Sequence, residues 1–181
     1  MDNSIDAFVE YVSPRFSRLT EREGEVLGYI AEGLTRGKIG ELLCLSSGTV
    51  RTHTDNVRRR LGVKGWYEMM ASALIYSCVV FGKELSFPET SWLGLTVKQQ
   101  DIFEMVGSGM EYEEIAPKLG NARRTVESII FQQIAPKMAA VRGNDADSVP
   151  HSYLLACSVW NVVVKPYVQS HPEVRVFVNS Q

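Results

Sequence analysis

Apolar residues recur at helical spacing along nearly all of this chain, and capping residues and breakers divide them into short blocks. Ala7, Phe8, Tyr11 and Val12 form the first stripe, with Ser4 as a candidate cap and Pro14 as its end. Thr20 and Glu23 then make a capping box. The helix they open carries Val26, Leu27 and Ile30 on one face, and Gly33 suits the left-handed residue that ends it. Thr35 is placed to cap a shorter helix with Ile39, Leu42 and Leu43 inward. Ser46 is placed to cap a third helix after a tight turn, with Val50, Val57 and Leu61 along its inner edge and Gly62 closing it. Two short helices joined by a small turn, the second of them basic, make a helix-turn-helix.

Trp66 to about Phe81 is apolar on most faces (Met69, Met70, Ala73, Leu74, Tyr76, Val79, Val80). A helix apolar nearly all round must be covered. Either the rest of the chain covers it, or a second copy does. Gly82 to Gly94, with Pro88, reads as a linker. Past a loop at Gly143 to Pro150 the pattern predicts another apolar helix from His151 to about Val164, stopped by Pro166. Val174 to Val178 alternates like a strand, and a lone strand needs a partner across a symmetry axis or stays loose.

A shift of 76 positions superimposes much of the pattern on itself. Leu95-Thr96-Val97-Lys98-Gln99 falls on Leu19-Thr20-Glu21-Arg22-Glu23, and Ile102-Phe103 on Val26-Leu27. Gly109-Met110 falls on Gly33-Leu34, Ile115 on Ile39, Leu119 on Leu43, Thr125-Val126 on Thr49-Val50, and Trp92 on Phe16. Seven identities in 32 ungapped positions carry weight because they sit on caps, core positions and turns. Beyond Val126 one inserted residue restores the match, so that Ile134, Lys137 and Met138 stand where Val57, Arg60 and Leu61 stand. The expected fold class is all-α: two tandem helix-turn-helix modules, the second diverged, with a short C-terminal β-strand.

Charge separates the two stretches. Residues 15 to 64 carry ten Lys/Arg against six Asp/Glu, whereas residues 95 to 142 carry six against six. The whole chain has a net charge of −2, which argues against indiscriminate binding to phosphate backbones. The helix from Thr49 to Leu61 nevertheless pairs its apolar edge with a face of arginines and short polar groups. A helix that enters the major groove needs that pairing: one stripe to anchor it and one to meet bases and phosphates. In the second stretch Glu111-Tyr112-Glu113-Glu114 stands where Thr35-Arg36-Gly37-Lys38 stands, Arg51 becomes Glu127, and His53 becomes Ile129. Pro117 falls inside its short second helix, and the run Ile129-Ile130-Phe131 reads as buried contact.

Leu19-Thr-x-Arg-Glu, Gly33-Leu-Thr, Lys38-Ile-Gly, Leu45-Ser, Thr49-Val-Arg-Thr-His53, Asn56 and Leu61-Gly-Val63 together resemble the LuxR/NarL (GerE-type) DNA-binding domain. The resemblance implies a four-helix module whose third helix enters the major groove and whose fourth often forms a dimer contact. It implies base contacts for Arg51, Thr52 and Asp55, the last a departure from the basic residue common there. It implies phosphate contacts for Thr35, Arg36, Lys38, Ser47, Thr49, His53, Arg58 and Arg59, with His53 otherwise bracing the helix. Arg123 and Arg124 are the second module's candidates for DNA contact, and Trp66, Met70, Leu74 and Trp160 are candidates for oligomerisation. The expected layout is an N-terminal helical segment over residues 1–14, a first module over 15–82, a linker over 83–94, a second module over 95–165, and a tail over 166–181.

Three histidines without partners at metal-binding spacing, no glycine-rich phosphate loop and no nucleophile elbow point away from an enzyme. No cofactor and no metal are expected. Cys44, Cys78 and Cys157, widely spaced and odd in number, read as buried free thiols of a cytoplasmic protein. Asp2 and Asp6 stand where a signal peptide would be positive, and no apolar run is long enough to span a membrane. Only about 14 residues precede the first module, so control by abundance or by a partner protein is expected, as in bacterial or mobile-element regulators. The expected function is a transcription regulator that binds double-stranded DNA as a homodimer, in contact with another regulator or RNA polymerase. The alternative is an anti-activator or co-regulator that docks on another regulator.

Overall fold

The structure, a computed structural model, describes residues 4–80, 85, 87, 88, 93–142 and 150–171. The strand expected at Val174 to Val178, most of the linker and Trp92 lie outside these residues. Among the described residues every regular element is helical. Helix α1 (Ser4–Val12) ends just before Ser13 and Pro14, as expected, and the chain continues as a 3₁₀ turn (Ser13–Arg18). Then come α2 (Glu21–Ala31), α3 (Arg36–Leu43), α4 (Ser47–Leu61) and α5 (Trp66–Val79). The second half contains α6 (Val97–Gly107), α7 (Tyr112–Lys118), α8 (Arg123–Ile129), α9 (Ala135–Arg142), α10 (His151–Val159) and α11 (Lys165–Ser170).

The caps at Thr20, Thr35 and Ser46 form where the sequence places them, whereas Ser4, expected as a cap, is the first residue of α1 itself. Thr20 accepts from the Glu23 amide while the Glu23 carboxylate accepts from the Thr20 amide, closing the box at the start of α2. Thr35 caps α3 and Ser46 caps α4, each through its side-chain oxygen. Helix α2 is the centre of the first half: it packs on α4 by one face and on α5 by another, with Val26 and Leu27 fully buried. Phe16 meets Tyr76 edge to face at 5.0 Å, so the 3₁₀ turn closes this core from outside.

Two expectations for α3 are corrected. Leu42 is 49% exposed, because the eight-residue helix has room for only Ile39 and Leu43 on its inner side. Cys44 is exposed rather than buried, since it ends α3 in the left-handed conformation (φ 54°). Cys78 is half-buried, and only Cys157 is buried. Burial pushes the Cys157 thiol up to about 12, against a small opposing effect of the Asn161 hydrogen bond.

In the second half two junctions between helices are π-helical. Helices α8 and α9 are joined by a π-helical segment (Ile130–Ile134), in which the Ala135 amide reaches the Ile130 carbonyl. A π turn holds one more residue than an α turn. Ile134 and Met138 beyond it return to the buried side, 1% and 0% exposed, as Val57 and Leu61 do on α4. A second π segment (Trp160–Val164) joins α10 to α11, with the Lys165 amide on the Trp160 carbonyl. The helix expected to stop before Pro166 therefore continues to Ser170. Each π segment ends two residues before a proline, Pro136 or Pro166. The widened turn skips a backbone bond where proline has no N–H to give and where its ring would crowd the preceding turn.

Candidate nucleic-acid interface

Helix α4 is anchored on its inner edge and at its end. Val50, Val57 and Leu61 are 0% exposed, and Thr54 completes the stripe with its hydroxyl donating to the Val50 carbonyl at 2.9 Å. Ser46 fixes the first turn by accepting from the Thr49 amide at 3.0 Å. The last turn is tied by Arg60, whose guanidinium donates to the Arg18 carbonyl at 2.6 Å and lies 3.1 Å from the Glu23 carboxylate. The Glu23 side chain is only 3% exposed, so this pair is shielded from water on the acid's side. Arg60 thus holds α4 to the start of α2 instead of joining the outer basic face. Sequence reasoning recognised Glu23 only as half of a capping box; its second partner lies 37 residues away.

The turn between α3 and α4 is set by a close approach. The Leu45 amide donates to the Gly40 carbonyl at 2.8 Å, and a Cβ on Gly40 would lie 2.6 Å from the Leu45 carbonyl oxygen. No larger residue fits without moving backbone. Arg22 braces the same corner by donating to the Leu43 carbonyl at 2.8 Å.

The outer face of α4 presents the residues assigned to base reading. Arg51, Thr52 and Asp55 are all exposed. Arg51 and Asp55 stand one turn apart, with Nε 3.8 Å from the carboxylate, and both side chains are more than half exposed. Such a pair contributes little to stability and leaves the guanidinium available. The Thr52 hydroxyl donates back to the Gly48 carbonyl at 3.1 Å, which leaves its oxygen as an outward acceptor. Ser47 and Thr49 lie exposed on the first turn, where the helix end favours anions. His53 is half-exposed midway along α4.

The phosphate candidates divide. Arg36 is exposed, and Lys38 is exposed beside Glu41 at 2.8 Å. Thr35 accepts from the Lys38 amide at 3.3 Å. Arg59 is exposed and donates to the Asn56 side chain at 2.7 Å. Arg58 is half-buried, with its guanidinium 5.4 Å from the centre of the Trp66 ring. It packs back on the start of α5, with its Nε buried there.

At the corresponding corner of the second half, the amide of Glu111 is capped by the Glu114 carboxylate at 2.9 Å. Arg123, exposed, is held between Glu113 at 3.1 Å and Glu127 at 3.0 Å, and Arg124 beside it is also exposed. Ile129 and Ile130 are buried as expected, but Phe131 is 45% exposed because the π segment turns it outward, 5.8 Å from the His151 ring. The Tyr112 hydroxyl is pushed up to about 12, first by burial and then by Glu127 and Glu111. His151, 3.2 Å from it, is pushed down by burial, with Glu111 opposing.

Of the residues assigned to oligomerisation, Met70 and Leu74 are 0% exposed. Helices α2 and α10 of the same chain lie against α5, so these two side chains are not on a surface that a second copy can reach. Trp66 and Trp160 are half-buried, Trp160 with its ring 6.1 Å from Phe87. No helix among the described residues is long and apolar enough to cross a membrane.

Residues 17–73 match the family model of the bacterial regulatory proteins of the luxR family, and that stretch is a helix-turn-helix domain of this family. The chain is 39% identical over 75 residues to an uncharacterized response regulatory protein, YgeK, of Escherichia coli strain K12, covering 40% of this chain and 51% of that protein. It is 45% identical over 49 residues to the nitrate/nitrite response regulator protein NarP of the same organism, covering 27% of this chain and 23% of NarP. It is 36% identical over 63 residues to the transcriptional regulatory protein LnrK of Bacillus subtilis strain 168, covering 35% and 29%. The chain thus spans about half or less of the length of these relatives. No solved structure matches it.

Proposed function

We propose that this protein is a DNA-binding transcription regulator that reads the major groove with α4. The observation that carries the reading is the division of α4 into a fully buried edge (Val50, Val57, Leu61) and an exposed face (Arg51, Thr52, Asp55), within a stretch that matches a family of DNA-binding regulators. Arg51 is the base-reading residue, a guanidinium that suits the paired acceptors of guanine. Thr52 and Asp55 complete the readout, Asp55 by orienting Arg51 or accepting from a cytosine amino group. Thr35, Arg36, Lys38, Ser47, Thr49, His53 and Arg59 position the helix on phosphates.

Residues 15–82 form the reading module in this proposal, preceded by a helical segment over 1–14. Residues 95–165 form a second, diverged copy beyond a linker, and 166–181 a tail. Two parallels support the duplication. Lys137 donates to the Gly94 carbonyl at 2.6 Å and to Gln99 at 2.8 Å, while Arg60 reaches Arg18 and Glu23, each partner 76 positions earlier. Thr96 and Gln99 close a capping box as Thr20 and Glu23 do. The second copy contributes to assembly and not to groove reading, because its reading corner carries Glu111, Glu113 and Glu114, and Arg123 is engaged by carboxylates.

Fluorescence anisotropy with a pool of random-sequence duplexes, followed by selection of the bound fraction, tests the reading. Enrichment of one motif is expected. Arg51→Ala should lose about 1–3 kcal/mol of affinity for that motif while keeping non-specific binding. A chain that binds no duplex at low salt, yet captures another regulator, is instead the anti-activator that the acidic corner favours.

A further inference from the structure

The middle of α5 and most of α10 are covered on every side. From Met69 to Ser77 each residue of α5 is at most 8% exposed, and from Tyr153 to Val159 each residue of α10 is at most 6% exposed. One side of each helix packs within its own half of the chain. Tyr76 of α5 reaches Gly24 of α2, and Ser158 of α10 approaches Gly107 of α6 so closely that a Cβ there would lie 2.6 Å from the Ser158 carbonyl oxygen. The other side of each helix is covered by the opposite half, with α5 against α10 and the π segment that follows it.

The contacts across this seam are reciprocal. Gly33, at the end of α2, has φ +73°, and a Cβ on it would lie 2.5 Å from the Cα of Tyr153 on α10. The Ser152 hydroxyl donates to the Gly33 carbonyl at 2.6 Å. Gly109, at the end of α6 and 76 positions later, has φ +86°, and a Cβ on it would lie 2.9 Å from the Tyr67 ring on α5. Burial pushes the Tyr67 hydroxyl up, in keeping with a ring enclosed by this contact. The end of α2 therefore rests on the start of α10, and the end of α6 on the start of α5. Residue i touching j' while j touches i' is the signature of a two-fold pairing.

We infer that the chain is a closed pair within one molecule: its two halves associate through α5 and α10, occupying in cis the face through which two copies would otherwise join. The partner for that face is the other half of the same chain. The protein is then a monomer that presents one basic reading helix, α4, and one neutral counterpart, and it engages a single half-site instead of a palindrome. The half-site clause rests on the function proposed above, whereas the pairing stands on the seam alone.

Sedimentation equilibrium of the full chain, from micromolar to the highest soluble concentration, tests the pairing without DNA. The mass of one chain is expected throughout, and the mass of two at micromolar concentration overturns the inference. On duplexes carrying the selected motif, one chain per motif and a hydroxyl-radical footprint over one groove face are expected. Two chains with two footprints a helical turn apart overturn it. If no duplex is bound but the mass is that of one chain, the DNA reading fails and the pairing stands. Hydrogen exchange of Gly109→Leu adds a readout that a role confined to the second half would not move. This substitution strains a left-handed glycine and collides with Tyr67. The inference expects amides from Met69 to Ser77 to lose protection by at least tenfold together with those of α10; α5 amides as protected as in the unaltered chain count against it.

Discussion

Cys44 is the only non-glycine residue with positive φ among those described, and it occupies the left-handed end of α3. An L side chain there costs about 1 kcal/mol relative to glycine. Gly120, at the same place 76 positions later, has φ +61° and no such cost. Cys44→Gly is therefore expected to raise stability by about 0.5–1 kcal/mol, the strain relieved being partly offset by the freer unfolded chain. Urea unfolding should show a higher midpoint at unchanged slope; a lower midpoint would contradict the strain. Arg60 is committed to the fold. It sits in a run of three arginines, but only Arg59 of that run is both exposed and turned away from the fold. Among the described residues, loss of Arg60 leaves the Glu23 carboxylate with the Thr20 amide alone, so Arg60→Ala should cost about 2 kcal/mol of stability, read as a lower thermal midpoint.

At the scale of the element, the helix-turn-helix depends on how tightly α3 turns into α4. Gly40→Ala places a methyl carbon 2.6 Å from the Leu45 carbonyl oxygen, and backbone must move to relieve it. A cost of about 1–3 kcal/mol is expected. Because Ser46 follows directly, the capped start of α4 shifts with it, and specific affinity should fall more than non-specific affinity. Equal losses in the two titrations would show that the turn supports the fold without aiming the helix. The π segments are the element-scale counterpart in the second half. The one-residue insertion after Val126 was legible as a change of phase in the apolar pattern. Its form as a π turn ahead of Pro136 was not, because several backbone solutions absorb one residue and only packing of Ile134 and Met138 selects among them.

At the scale of the molecule, charge is concentrated in the first half while the chain as a whole is at −2. Binding should accordingly depend on salt through a small number of local contacts. Each phosphate contact contributes a slope of about −0.9 in log affinity against log salt. Arg36→Ala, which removes an exposed cation at the start of α3, should reduce the slope by about 1 and weaken all duplexes to a similar degree. An unchanged slope would place Arg36 away from the backbone.

The sequence alone determined the helices, their caps and the inner edge of α4, because these depend on residues three or four positions apart. The boxes at Thr20 and Thr96 and the caps at Thr35 and Ser46 are local hydrogen bonds between neighbours in the chain. The apolar character of Trp66 to Phe81 was equally plain, as was the need to cover it. What covers it was open, since an apolar face looks the same toward another half of the chain as toward another copy. Only the tertiary structure decided that, by laying α10 on α5 and the ends of α2 and α6 across the seam. It also decided which arginines face outward and which are ties, because the partners of Arg60 lie 42 and 37 residues away and no local spacing encodes them.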